Sequence, residues 1–178
     1  MCFYFCNFII SSGLKEIIQG SSIYKKFKSV FACEYVYDNK GVACWPKLMI
    51  NYTLKTQFVF RISKGAIKIS DDDKVNSRIS KDKRRVLYRD MIYIGDGMTD
   101  IACMTLVKKN GGTSIAVYPE KDIQKVKQIY DDHRCDFVVP SNYSSGSRLE
   151  KAVQLIIDKV IINEEINNKQ EQLANLYN

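Results

Sequence analysis

The stretch Met91-Ile92-Tyr93-Ile94-Gly95-Asp96-Gly97-Met98-Thr99-Asp100 limits this chain more than any other, because an apolar run stops abruptly at a carboxylate set between two glycines. Met91 to Ile94 has the β-branched and aromatic content of a buried strand. Gly95 and Gly97 permit backbone angles and close approaches that a side chain would block. Asp96 is then presented at the carboxyl end of a strand. A helix starting near Thr99 puts Asp100 in its first turn, where the two carboxylates can converge on one hard cation. Two carboxylate oxygens, a few waters and a substrate phosphate suit Mg²⁺. The same letters also fit a tight turn followed by an acid that complements a helix N-terminus.

Upstream, Phe3 to Ile10 is a nearly continuous apolar run, as expected of a parallel strand covered on both faces. It lacks a basic leader and is too short to span a bilayer. The run ends at Ser11-Ser12-Gly13, and Leu14, Ile17 and Ile18 then recur at helical spacing before Gly20. A strand, a small-residue loop and a helix N-terminus bind phosphate through a hydroxyl and free backbone N–H groups. An ordinary serine cap satisfies the pattern equally well.

Val30 to Val36 reads as the next strand, Asp38-Asn39-Lys40-Gly41 as a turn, and Val42 to Pro46 as the returning arm of a hairpin. A helix is expected over Leu54–Ser63, capped by Thr53 and stopped by Gly65. Lys55 falls in its first turn, an unfavourable place for a cation because the helix dipole is positive there. A local anion would offset that cost. Lys64, near the other end, obeys the dipole rule and is the ordinary alternative. Residues 66–90 are highly charged and poor in apolar side chains, which reads as a surface excursion, and Asp71-Asp72-Asp73 within it follows no strand.

The order of Ile9-Ile10-Ser11-Ser12-Gly13, then Asn51-Tyr52-Thr53-Leu54-Lys55-Thr56-Gln57, then Ile94-Gly95-Asp96-Gly97-Met98-Thr99-Asp100 resembles the second, third and fourth motifs of the haloacid dehalogenase-like hydrolases, in their phosphoserine-phosphatase-like branch. The resemblance runs from about residue 3 to residue 162. It implies a Mg²⁺-dependent phosphomonoester phosphatase acting on a small phosphorylated metabolite through an aspartyl-phosphate. On that resemblance Asp96 and Asp100 are the metal residues, Ser11 with the Ser12 and Gly13 backbone holds the phosphoryl group, and Lys55 offsets its charge. The family's first motif, an Asp-x-Asp strand carrying the nucleophile, has no match before Ser11. The chain therefore reads as truncated ahead of its first motif, without the cap domain and inactive by itself. The alternatives are a non-catalytic module that binds phosphorylated ligands, or one that binds a partner supplying the missing strand or self-associates.

After the acidic loop, a helix through Met104 and Val107, a strand at Ser114–Tyr118, a basic helix, a strand at Asp136–Pro140 and an amphipathic helix from Leu149 to Ile161 follow in turn. Alternating strands and helices specify a doubly wound, mostly parallel Rossmann-like α/β sheet with its ligand at the carboxyl ends of the strands. In the resembling family the absent first strand is central, between those leading to Ser11 and Asp96. With 178 residues and 46% hydrophobic content, one core over residues 1–162 is expected, followed by a fraying polar tail at 163–178. The net charge of +7 is spread along the chain without a dense basic stripe, which argues against a nucleic-acid partner. Cys2, Cys6, Cys33, Cys44, Cys103 and Cys135 contain no Cys-x-x-Cys pair, so a reducing cytoplasm fits better than a disulfide framework or a zinc site.

Overall fold

The computed structural model describes residues 5–176, so Cys2 and the Phe3-Tyr4 start of the expected first strand lie outside the described residues. The chain is mixed α/β and divides into two compact units, Met1–Arg85 and Val86–Asn178. Each unit holds one three-stranded sheet.

In the first unit, β1 (Asn7–Leu14) pairs in parallel with β2 (Phe27–Tyr37), and β2 pairs antiparallel with β3 (Ala43–Leu48). The expected hairpin turn is present. The Asp38 carboxylate accepts the backbone N–H groups of Lys40 and Val42, both at 2.8 Å, and Gly41 takes a left-handed φ of 78°. The β2 centre, Val30 to Cys33, is buried, and Phe31 meets Phe58 of α2 (Lys55–Lys64) at 4.7 Å between ring centroids. Phe58, Val59 and Ile62 form the buried side of α2, and Gly65 (φ 69°) ends it as expected.

Three local expectations are corrected here. Ser11, Ser12 and Gly13 do not form a loop after the strand but lie within β1, at a register irregularity between Ile10 and Leu14. The helix that follows, α1 (Lys15–Gln19), has only five residues and Leu14 at its N-cap, so no serine caps it. Thr53 does not cap α2 either. The capping oxygen belongs to Asn51, whose Oδ1 accepts the Leu54 N–H at 3.0 Å and the Thr53 hydroxyl at 2.7 Å.

The charged excursion is tied down by the end of α2. Arg61, 4% exposed, donates to the Lys68 and Ile69 carbonyls at 2.8 and 2.7 Å and lies 3.5 Å from the Asp72 carboxylate. Lys64 donates to the carbonyls of Val75 and Ser77. Asp71 and its acidic neighbours therefore open a short helix, α3 (Asp72–Asn76), and end no strand.

In the second unit β4 (Ile92–Gly95), β5 (Thr113–Tyr118) and β6 (Phe137–Pro140) are all parallel, in that order across the sheet. Every residue of β5 is buried. Ala116 and Tyr118 pack with Met104 of α4 (Ile101–Lys109) and with Val126 and Ile129 of α5 (Gln124–Asp131). Ile115 and Val117, on the other face, pack with Leu149 and Ile156 of α6 (Arg148–Ala174). Helices cover both faces, as a parallel sheet requires. Each large aliphatic side chain fully buried this way contributes about 1.5–3 kcal/mol. The last helix corrects the expected fraying tail: α6 runs 27 residues, to Ala174. Its start is fixed by Ser147, whose hydroxyl accepts the Glu150 N–H at 3.1 Å.

Candidate functional site

The acidic loop is built from the tip of β4. Gly95 is its last residue, and one turn of 3₁₀ helix, Met98–Asp100, leads into α4. Asp100 is buried, at 4% exposure, behind the loop. Its Oδ1 accepts the Tyr93 hydroxyl at 2.7 Å and its Oδ2 accepts the Asp96 N–H at 3.3 Å. A carboxylate at this depth needs such donors, because a buried charge without them is costly. Burial, followed by the nearness of Cys103 and Asp100, raises the Tyr93 pKa far above its ordinary value, so the phenol stays a proton donor.

Gly95 is required by this packing. A Cβ there would lie 2.6 Å from the Asp100 Cβ and 2.8 Å from the Met104 Cε. Gly97 is not required in the same sense: its φ of −171° is extended backbone, and nothing lies within 4 Å of a Cβ built there. The loop thus turns the Asp96 side chain outward, where it is 70% exposed and 3.5 Å from the Lys125 ammonium at the start of α5.

These positions divide the work of the two acids. Asp96 offers an accessible carboxylate, while both oxygens of Asp100 already accept hydrogen bonds, which makes it a brace for the loop. One outward carboxylate, waters and a substrate oxygen make an acceptable Mg²⁺ environment, since this ion keeps much of its water shell. Among the described residues no group of three or more His, Cys, Asp or Glu side chains forms a closed metal cage.

Ser11, Ser12, Gly13 and Lys55 belong to the first unit, Asp96 and Asp100 to the second. Within the first unit the serine segment folds back on itself, the Ser11 Oγ accepting the Gly13 N–H at 3.0 Å. The Cys33 thiol joins this segment to the approach to α2: it donates to the Ser12 carbonyl at 3.4 Å and accepts the Ile50 N–H at 3.3 Å. Lys55, at 7% exposure, is the first residue of α2. The stretches carrying Ser11 and Lys55 are therefore anchored on one buried sulfur.

Sequence reasoning missed Tyr93, Lys125 and Cys33. Only Tyr93 carried a signal, as a hydroxyl within an otherwise aliphatic strand.

No protein-family model matches the chain, and no solved structure matches it. An uncharacterized protein of Borreliella burgdorferi is 26% identical over 159 residues, covering 80% of this chain and 54% of that protein. The chain thus spans about half the length of the relative it matches. Among the described residues no helix is long and apolar enough to cross a membrane.

Proposed function

We propose that the chain carries the supporting half of a Mg²⁺-dependent phosphomonoester phosphatase site on a doubly wound core of the haloacid dehalogenase-like kind. The observation that carries this reading is the outward Asp96 at the tip of a parallel strand, with its loop held from behind by Asp100 and Tyr93. Asp96 would hold the cation. Mg²⁺ bound there supplies positive charge to the phosphoryl oxygens. Asp100 keeps the loop in place, and the family resemblance assigns to Ser11 the hydroxyl that would hold a phosphoryl group and to Lys55 the charge that would balance it. The substrate class is a small phosphorylated metabolite. The six cysteines include no Cys-x-x-Cys pair, which supports a reducing compartment such as the cytoplasm.

The reading assigns these residues no nucleophile: the acidic triplet Asp71-Asp72-Asp73 opens α3 and lies at no strand tip. The chain alone is then a binder of cation and phosphate that turns nothing over. One observation favours a partner as well. Among the described residues β1, β4 and β6 are outer strands parallel to their one neighbour, and edge strands of this kind accept an added strand.

Calorimetric titration of Mg²⁺ into the wild type, Asp96→Asn and Asp100→Asn tests the reading. Binding is lost in Asp96→Asn and weakened in Asp100→Asn, and Lys125→Met, which removes the competing ammonium, tightens it. With an aryl phosphate and Mg²⁺ the wild type stays at the buffer rate. Undiminished Mg²⁺ binding in both aspartate variants sinks the assignment.

A further inference from the structure

The long helix α6 carries two apolar stripes, and the sheet of its own unit uses one of them. Leu149, Ala152 and Ile156 are the buried residues, and farther along the helix Glu164 reaches Arg89 at 3.3 Å. The other stripe is Leu155, Ile162, Ile166 and Leu173, which remain 65%, 54%, 49% and 46% exposed. At about 100° per residue these four lie within roughly 20° of one line along the helix. Lys159 and Lys169 fall between them along the helix, about 40° to either side of that line. The resulting row, Leu155, Lys159, Ile162, Ile166, Lys169, Leu173, advances by alternating steps of four and three. Its five steps cover 18 residues, an average of 3.6, so the row follows one line of the helix and can face another helix along its whole length.

The row also reads the same from both ends. Ile162 and Ile166 are equidistant from Glu164, as are Lys159 and Lys169, and Leu155 and Leu173. A two-fold axis across the helix at Glu164 lays the row on a second copy of itself, antiparallel and in register. Ile162 then meets the partner's Ile166, and Leu155 meets the partner's Leu173. Any row stepping 4-3-4-3-4 superposes on its reverse in spacing; in this one the residue types match as well, leucine with leucine, lysine with lysine and isoleucine with isoleucine, as an isologous contact uses. Antiparallel packing also brings opposite ends of the two helix dipoles together. We infer that the outer stripe of α6 is a homodimer interface, an antiparallel helix pair centred on Glu164.

The two lysine layers and the length of the seam set its strength. Each layer opposes Lys159 to the partner's Lys169, whose stems cover apolar surface while their ammonium groups turn to water. The seam is about 27 Å long and roughly one helix diameter, about 10 Å, in width. That is small beside the roughly 800 Å² per partner of a standard interface, so the dimer is weak and concentration-dependent. It is independent of the chemistry proposed for Asp96.

Sedimentation velocity of the full chain across a concentration series tests the inference, with circular dichroism confirming that each variant keeps its helix content. The wild type shows a reversible monomer–dimer equilibrium. Ile162→Lys combined with Ile166→Lys, both at exposed positions, weakens it by roughly tenfold or more. Lys159→Glu places a carboxylate against the partner's Lys169 and tightens it several-fold, whereas in a parallel pair it would exchange Lys159 against Lys159 for one glutamate against another and leave the association unchanged. A wild type that stays monomeric throughout, association unchanged in the double variant, or an association that Lys159→Glu fails to tighten would each overturn the inference.

Discussion

The Tyr93 hydroxyl donates to Asp100 at 2.7 Å from the strand into the first turn of the following helical segment, and this bond closes the acidic loop from behind. Tyr93→Phe removes the donor and leaves a buried carboxylate short of one partner. Hydrogen bonds to charged groups contribute about 1.5–3 kcal/mol, so unfolding in denaturant should show a loss of that order. The pH dependence carries a second signature. The folded state raises the Tyr93 pKa, so above the unfolded value near pH 10 the folded chain holds a proton that the unfolded chain releases. The stabilisation is fully present below that pH and is lost as pH rises. Wild-type stability should fall more steeply on the alkaline side than that of Tyr93→Phe, and parallel curves would refute the assignment.

Gly95→Ala tests the same packing from the backbone side. The added methyl would sit 2.6 Å from the Asp100 Cβ, too close for adjustment by one flexible side chain. Overpacking of this kind costs about 1–3 kcal/mol, and here it pushes Asp100 off its two donors. Stability and Mg²⁺ affinity should fall together. Gly97→Ala, with open space around it, should leave both nearly unchanged.

The legible and illegible parts of the sequence differ in range. The acidic loop could be read because an apolar run, two glycines and a carboxylate are consecutive letters, and the β2–β3 turn because Asp38 and Gly41 sit where the turn needs them. Ser11 to Gly13 misled because small residues at a strand end look like a loop, while their register break depends on Cys33 across the sheet. The segment after Asn163 misled through composition. Its asparagines suggested fraying, yet Glu, Gln, Lys and Leu are good helix formers and the segment continues α6. The roles of Arg61 and Lys64 were invisible, because carbonyls up to thirteen residues farther along the chain receive their protons.

Arg61→Leu should release the charged excursion. The Lys68 and Ile69 carbonyls each lose a charged donor, and a buried polar group left unpaired costs about 1–3 kcal/mol. Limited proteolysis reads the result directly. Cleavage between Gly65 and Arg85 should accelerate well beyond the wild-type rate, while cuts in β5 and α4 should not. A variant digested at the wild-type rate would show that Arg61 does not hold this segment.

The outer strands of the two sheets give the last prediction. Among the described residues β1 and β4 both end their sheets, and each is parallel to its one sheet neighbour. A parallel strand is ordinarily paired on both sides and covered on both faces, so an open parallel edge recruits another strand. The proposed function names what that strand would carry: an apolar run followed by Asp-x-Asp, presented beside the Asp96 loop or beside Ser11. A synthetic peptide of that pattern should bind the chain and slow hydrogen exchange at the amides of β1 or β4, since strand addition works through main-chain hydrogen bonds. The α6 variants separate this from self-association, because Ile162→Lys with Ile166→Lys should weaken the dimer and leave peptide binding intact. A peptide with the same composition in scrambled order controls for apolar stickiness. Protection that is equal for both peptides, or absent from β1 and β4, would refute strand addition and leave the two edges as finished boundaries of the fold.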